Sequence, residues 1–382
     1  MKIVHYLSRV RLADGGVVRA VLDQCAAMAR LGHSVTLMTR DGADVPAAWR
    51  DAGGEAGVVD LPGASGMFGR LGAAQMAEAA RALKGADILH MHVVWDPACA
   101  QLNRLARGLG VGVVISTHGM LDDWSMAQKT LKKRVYLALG ARRMLREAGA
   151  VHCTADAERD QSVRWHGNPR TIVVPLVFDV DEYETLPETE VARRAFPALD
   201  TGRPILLFLS RLHEKKRPEL VVEAAGELAR RGVETEVAIA GPGDDAMRDR
   251  VRAAAERAGI ADRVHLLGMV SGGEKVALYR WARVFVLPTS QENFGFVLIE
   301  ALAAGTPAVT TKGVDIWPEL EGSGGVEVVD PPTPAALAGA IGRALDRRDA
   351  MGAAGRAWAL REFRGGSIAG RYGALYEEAR SS

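Results

Sequence analysis

Ile205-Leu-Leu-Phe-Leu209 is followed by Ser210-Arg-Leu-His-Glu-Lys-Lys216, then by Pro218-Glu-Leu-Val-Val-Glu-Ala-Ala-Gly-Glu-Leu-Ala-Arg-Arg231 and Glu236-Val-Ala-Ile-Ala240. The outer segments are short apolar runs. The long segment between them carries apolar residues at helical spacing. A strand, a polar loop, a helix and a second strand form a βαβ unit, whose strands must be parallel. Parallel strands are buried on both faces, which explains runs that are apolar throughout instead of alternating.

The same rhythm extends both ways. Downstream, residues 264–267, 284–287 and 308–310 read as strands with helices between them. Upstream, strands are expected at 2–7, 34–39, 87–92, 111–117, 151–154 and 171–175, and helices at 17–31, 73–83 and 98–109. Residues 179–204 are polar and contain Pro187, Pro197 and Pro204, as a linker with a short helix would. The expected fold class is α/β, with two Rossmann-like, doubly wound parallel-sheet domains in tandem. The length of 382 residues suits two domains. The expected boundaries are 1–178 and 179–364, with a final helix over 365–382 returning to the first domain.

Composition is that of an ordinary globular protein, with 48% hydrophobic and 25% charged residues. A net charge of +1 gives no bulk attraction to nucleic acid. Cys25, Cys99 and Cys153 form no Cys-x-x-Cys, so neither a zinc cage nor a disulfide framework is expected. The opening Met-Lys-Ile-Val-His-Tyr-Leu enters a strand directly, and no long apolar run follows. A cytoplasmic location is expected.

Ligands of open α/β sheets bind beyond the carboxyl ends of the strands. The loops there carry Gly15-Gly16, His118, Arg211, Gly241 and Glu292. The richest stretch is Pro288-Thr-Ser-Gln-Glu-Asn-Phe-Gly-Phe-Val-Leu-Ile-Glu300. A helix is expected to begin near Asn293 as its N-cap, so that its free N–H groups face a diphosphate. Gly295 would permit close backbone approach, and Glu300 would accept bonds from ribose hydroxyls.

This Glu-x7-Glu stretch resembles that of the large retaining glycosyltransferase family GT4, which has the GT-B fold with its two domains facing a central cleft. Ser210-Arg211-Leu212-His213-Glu214-Lys215-Lys216 is similar to that family's donor-phosphate motif, with Arg217 where glycine is frequent. The resemblance implies that Arg211 and Lys216 grip the diphosphate. Glu292, Phe294 and Gly295 would meet the donor sugar, and Gly241, Val270 and Asn293 would join Glu300 in holding the donor. In the first half, Ala13-Asp14-Gly15-Gly16-Val17 resembles the family's glycine loop, and Thr117-His118-Gly119 its acceptor-side histidine loop. Glu158 matches a further acidic position. His90 and His92 read as structural or cleft-lining residues, not as metal ligands. The pair Asp122-Asp123 reads as a turn or an acceptor-side contact.

The implied activity is transfer of a sugar from a GDP- or UDP-sugar to a saccharide or lipid-linked acceptor, as in surface polysaccharide or glycolipid assembly. The anomeric configuration would be retained. With two cations for the diphosphate and the chain read as lacking an Asp-x-Asp motif, no divalent metal and no cofactor is expected. A nucleotide-sugar epimerase and a non-catalytic nucleotide-sugar-binding protein are the alternatives. Residues 128–146 combine Lys129, Lys132, Lys133, Arg134, Arg142, Arg143 and Arg146 with Leu131, Val135, Leu139 and Leu145. They read as an amphipathic helix, either touching an anionic membrane surface peripherally or standing as a solvated face.

Overall fold

The apolar runs form two parallel sheets. In the first, β1 (Lys2–Tyr6), β2 (Ser34–Thr39), β3 (Gly57–Asp60), β4 (Ile88–Met91), β5 (Gly112–Ser116), β6 (Ala150–Cys153) and β7 (Thr171–Val173) lie in the order β3-β2-β1-β4-β5-β6-β7. In the second, β8 (Ile205–Leu209), β9 (Glu236–Ala240), β10 (Val264–Gly268), β11 (Val284–Leu287), β12 (Ala308–Thr311) and β13 (Val326–Val329) lie in the order β10-β9-β8-β11-β12-β13. The strand order reverses beside β1 and beside β8, so the loops after them sit at switch points. This computed structural model describes residues 1–51, 54–63, 66–363 and 366–381. Positions 365 and 382 of the expected final helix lie outside them.

The chain divides into two compact units, Met1–Asp179 with Gly365–Ser382, and Val180–Arg364. Central strands are wholly buried: Ile3, Val4, Leu89 and Ile115 in the first unit, Leu206, Phe208, Phe285 and Val309 in the second. Helix ends follow local chemistry. Asp96 caps the helix Pro97–Gly108 by accepting from the Ala98 amide at 2.9 Å, with Pro97 pre-set at its first position. Asp96 also accepts from the Tyr6 hydroxyl at 2.8 Å and from Arg40 at 2.7 Å, tying the ends of β1, β2 and β4 together.

The last helix, Ser367–Arg380, packs on β4, β5 and β6 of the first unit. Its approach is close enough to require glycine beneath it. A Cβ on Gly112 would sit 3.0 Å from the Ala379 carbonyl oxygen, and one on Gly149 would overlap that same oxygen.

Several expectations need correction. β3 and β13 were not foreseen. Both are four-residue edge strands, half-solvated, and so lack the continuous apolar signature. The helix expected near Asn293 begins at Phe296, with Gly295 as its N-cap at φ 72°, ψ 53°. Upstream of it the chain stays extended, and Glu292 bridges to Val314 like a strand residue. The basic segment is not one helix. It runs as Thr130–Tyr136, a wide turn Leu137–Ala141 broken at Gly140 (φ 133°), and Arg142–Glu147. Among the described residues no helix is long and apolar enough to cross a membrane.

Candidate functional site

In the second unit, two loops at the carboxyl edge of the sheet are laced together through one carbonyl. Lys215 O accepts from the Ser290 amide at 2.7 Å and from the Thr289 and Ser290 hydroxyls at 3.1 Å each. This holds the 3-10 turn Glu214–Lys216, after β8, against the loop after β11. The next residue, Lys216, is 4% exposed, and its ammonium is ion-paired with the Glu292 carboxylate. The two charges that the sequence places 76 residues apart are therefore in contact. Arg211, on the same loop after β8, is exposed and forms no ion pair among the described residues.

Gly241 supports this loop from below. Its φ is 131°, and a Cβ there would overlap the Ser210 carbonyl oxygen. Its own N–H is spent on the Gly268 carbonyl at 2.7 Å. Its place in the site is thus to admit the Ser210–Arg211 backbone, not to donate to a ligand. Val270 is 7% exposed in the loop after β10.

Beyond Glu292, Asn293 donates from Nδ2 to Asp315 at 3.3 Å, which uses its side chain on the neighbouring loop. Phe294 is 3% exposed, its ring packed between Phe296 (5.2 Å) and Phe363 (5.9 Å). This packing leaves the Phe294 ring little exposed surface. Gly295 then turns the chain into the helix Phe296–Ala303, where the Leu298 amide donates to the Gly295 carbonyl at 2.8 Å.

Glu300 lies one turn inside that helix and not two, as expected from a start at Asn293. It accepts from Lys275 Nζ at 2.8 Å and from the Tyr279 hydroxyl at 3.0 Å. Burial and the Glu300 charge push the Tyr279 hydroxyl well above its ordinary value, so it remains a donor. Lys275 and Tyr279 were missed in the sequence. Their i, i+4 spacing on the helix Gly272–Trp281 is a signal, but nothing local says that the pair meets Glu300.

In the first unit, Gly15 has φ 110°, ψ −161° and caps the helix Gly16–Arg30. The loop before it is tied down by Asp44, which accepts from the Leu12 amide at 2.7 Å, and by Asp41, which accepts from Arg11 at 2.7 Å. His118 follows β5 in a left-handed conformation, φ 45°. Glu158 pins that loop on both sides, accepting from Thr117 Oγ1 at 2.7 Å and Gly119 N at 2.5 Å, and also from Thr154 N at 2.6 Å. Burial alone would raise its carboxyl; these donors overcome burial and hold it below its ordinary value. Asp122 caps the helix Asp123–Ala127 through the Ser125 amide, and Asp123 pairs with Arg164.

One Asp-x-Asp spacing exists away from these loops, Asp179-Val180-Asp181. Asp179 lies 3.6 Å from Arg30, and Asp181 opens the 3-10 turn Asp181–Tyr183. The three cysteines are buried and unpaired.

Residues 192–358 match the family model "Glycosyl transferases group 1", and residues 15–176 match "Glycosyl transferase 4-like domain". The D-inositol 3-phosphate glycosyltransferase of Nocardia farcinica is 30% identical over 61% of this chain and 53% of its own length. That of Rhodococcus jostii is 29% identical over 78% of this chain and 70% of its own. The match with the Nocardia protein thus spans about half of that relative. Among solved structures, the Anabaena protein HepE, crystallised with UDP, has a TM-score of 0.78 at 17% identity, covering 99% of this chain and 100% of that one. The two sheets are those of the GT-B fold. With its first half matching one glycosyltransferase model and its second half the other, the chain belongs to the GT4-type glycosyltransferases.

Proposed function

We propose that this chain transfers a hexose-type sugar from a nucleoside diphosphate sugar to an acceptor hydroxyl, with retention at the anomeric carbon and without a divalent metal. The observation that carries this reading is the charge arrangement after β8 and β11. A nearly buried ammonium balanced by Glu292, an exposed guanidinium without an ion-pair partner among the described residues, and a helix start at Gly295 share one sheet edge. Such a set is preorganised for a diphosphate. Glu300, held by Lys275 and Tyr279, is the acceptor for ribose hydroxyls. Retention rests on the resemblance of the Glu292–Glu300 stretch to the family's motif.

UDP is the first nucleotide to test, because HepE was solved with UDP and with UDP-glucose. A thermal-shift series with UDP, GDP and ADP, and with their sugars, is the experiment. A ligand at ~100 times its Kd stabilises its unit by about 2.7 kcal/mol. One diphosphate should raise the midpoint clearly above the others. No shift with any of them would overturn the reading.

Metal independence has its own test. Turnover of the donor identified in that series should be unchanged in EDTA, because Arg211 and Lys216 supply the positive charge. Loss on chelation, restored by magnesium or manganese, would reassign the charge to an ion.

The acceptor we propose is a saccharide or lipid-linked sugar, met in the cytoplasm at the inner face of a membrane. The support is the segment 128–146. Leu131 and Leu139 are 78% and 83% exposed, and Lys129, Lys132, Arg134, Arg142 and Arg146 of the same segment are exposed as well. Lys133 is withdrawn from this face, stacked over Trp95 at 5.2 Å and bonded to Ser125 at 2.6 Å. Exposed apolar side chains and exposed cations in one segment suit an anionic lipid surface, at about 1 kcal/mol per cation. Vesicles rich in phosphatidylglycerol should sediment the protein, less so at high salt, and Leu131→Asp with Leu139→Asp should abolish this. Equal sedimentation with phosphatidylcholine alone would leave a solvated face.

A further inference from the structure

An open sheet has two edge strands, and each keeps one row of backbone N–H and C=O groups outside the ladder. Native edges are blunted by charge, by proline or by shortness. β13 carries Glu327, ion-paired with Arg343 and Arg347. β3 carries Asp60, ion-paired with Arg50, and β7 is only three residues long. β10, the other edge of the second sheet, has none of these devices. It reads Val-His-Leu-Leu-Gly, and all five residues are half-exposed. Its ladder with β9 is irregular only past Leu266. Outside that ladder the backbone of residues 264–267 makes no backbone hydrogen bond among the described residues.

The edge is reachable from both faces of the sheet. Val264 and Leu266 share one face, and His265 and Leu267 share the other. A groove of about 400 Å³ lies between Val264, Leu266 and the helix Asp245–Ala258, which lines it with Arg252, Ala255 and Glu256. A second groove of about 450 Å³ lies between His265, Leu267 and the residues Phe196, Pro197 and Leu199. Met269, just past the strand, adds apolar surface at 69% exposure.

The charges beside the edge select its occupant. Arg252 and Glu256 are one helical turn apart, line the same groove and have opposite sign. Both are exposed. Arg252 meets only Asp249, at 2.9 Å in a solvated pair of little strength, and Glu256 has no ion pair among the described residues. A twofold axis beside the edge runs β10 antiparallel to its own copy, and the helix antiparallel to its copy. Arg252 of each copy then approaches Glu256 of the other, so one patch supplies both halves of two ion pairs. The new ladder holds no Lys, Arg, Asp or Glu, so no such like charges are set opposite each other. An unrelated strand would gain the backbone bonds without matching this order of charges.

We propose that the second unit is a dimerisation module, in which β10 pairs antiparallel with β10 of a second copy and joins the two six-stranded sheets. The proposal is independent of the sugar-transfer reading. β9 separates β10 from β8, so the pairing does not involve the loops after β8 and β11.

The test is the mass of the full chain in solution, by sedimentation equilibrium. A concentration of ~100 μM lies above the μM-to-pM range of standard-size interfaces. The expected mass is twice that of the 382-residue chain. Arg252→Glu alone and Glu256→Arg alone each set like charges against each other, and each should give the single-chain mass. Arg252→Glu combined with Glu256→Arg restores opposite charges and should restore the dimer. Leu266→Lys places a charge on the edge and should abolish it. Far-ultraviolet circular dichroism confirms that each variant is folded. A single-chain mass for the unaltered protein overturns the proposal. So does a dimer that both single reversals leave intact, or a folded double reversal that stays single. A mass that climbs with concentration beyond two chains would mean a head-to-tail contact and would overturn it as well.

Discussion

Lys216→Ala should lower turnover by about 10²–10³-fold with donor saturating, while weakening donor binding far less. The expectation follows from where charge develops. As a nucleoside diphosphate departs, its oxygens gain charge, and fixed cations stabilise that state more than the ground state. The Lys216 ammonium is held at 4% exposure by Glu292, in surroundings that screen it little. Arg211→Ala should act in the same direction. Lys215→Ala is the control: the Lys215 carbonyl, which accepts from Ser290 and Thr289, survives the substitution. Turnover of Lys215→Ala should change by less than ~3-fold, because the motif register gives the diphosphate contact to Lys216. The measurement is kcat, by acceptor-dependent transfer or donor hydrolysis, for all three variants. A damaging Lys215→Ala beside a mild Lys216→Ala would invert the assignment.

The first unit should unfold in mild acid before the second. His5, His90, His92, His118, His152 and His166 are all buried there, and burial lowers each below its ordinary value, to about 3 for His5 and about 4 for His118 and His166. Unfolded histidine titrates near ~6.5. Below that pH the unfolded chain binds protons that the folded unit refuses, so stability falls as pH falls. The contribution is complete above ~6.5 and is lost progressively toward the folded values, at up to ~1.4 kcal/mol per pH unit for each histidine. Against a domain stability of ~5–15 kcal/mol, several such groups suffice to unfold the unit by about pH 5. Glu158, a carboxylate that its hydrogen-bond donors also hold below its ordinary value, loses its contribution only at still lower pH. Calorimetry between about pH 7.5 and 5 should resolve a transition whose midpoint drops steeply and another that moves little. Two transitions of constant midpoint across that range would refute the linkage.

What the sequence disclosed depended on whether the determining contact was local. β2, β8, β9 and β11 were read to the residue because each is a central or well-paired strand with a distinct apolar run. The edge strands β3 and β13 lack that run. Asn293 has the right chemistry for an N-cap, but the pairing of Glu292 with the chain at Gly313–Asp315 keeps the backbone extended past it. The charges Arg211, Lys216, Glu292 and Glu300 were legible as residues. The contact between Lys216 and Glu292, and the clamp of Lys275 and Tyr279 on Glu300, join separate elements and left no local trace. The buried histidines of the first unit were dispersed in the same way: only His90 and His92, two apart, share a local spacing, and His5, His118 and His152 come from other strands and loops.

The docking of Ser367–Arg380 on the first sheet bears on how the protein is made. A ribosome produces the seven strands of that sheet first and this helix only after the entire second unit. Until then the sheet face over β4, β5 and β6 is bare, and Gly112 and Gly149 await the backbone that covers them. His90 and His152 meanwhile lack the Tyr376 and Tyr372 hydroxyls that they face in the finished fold. The second unit is continuous in the chain and can close during synthesis, at ~5–20 residues per second. The earlier-made unit must wait, with an apolar face open to chaperones and to other nascent chains. The first unit can therefore be completed only after the second has been synthesised, and the delay is set by the time taken to translate the second unit.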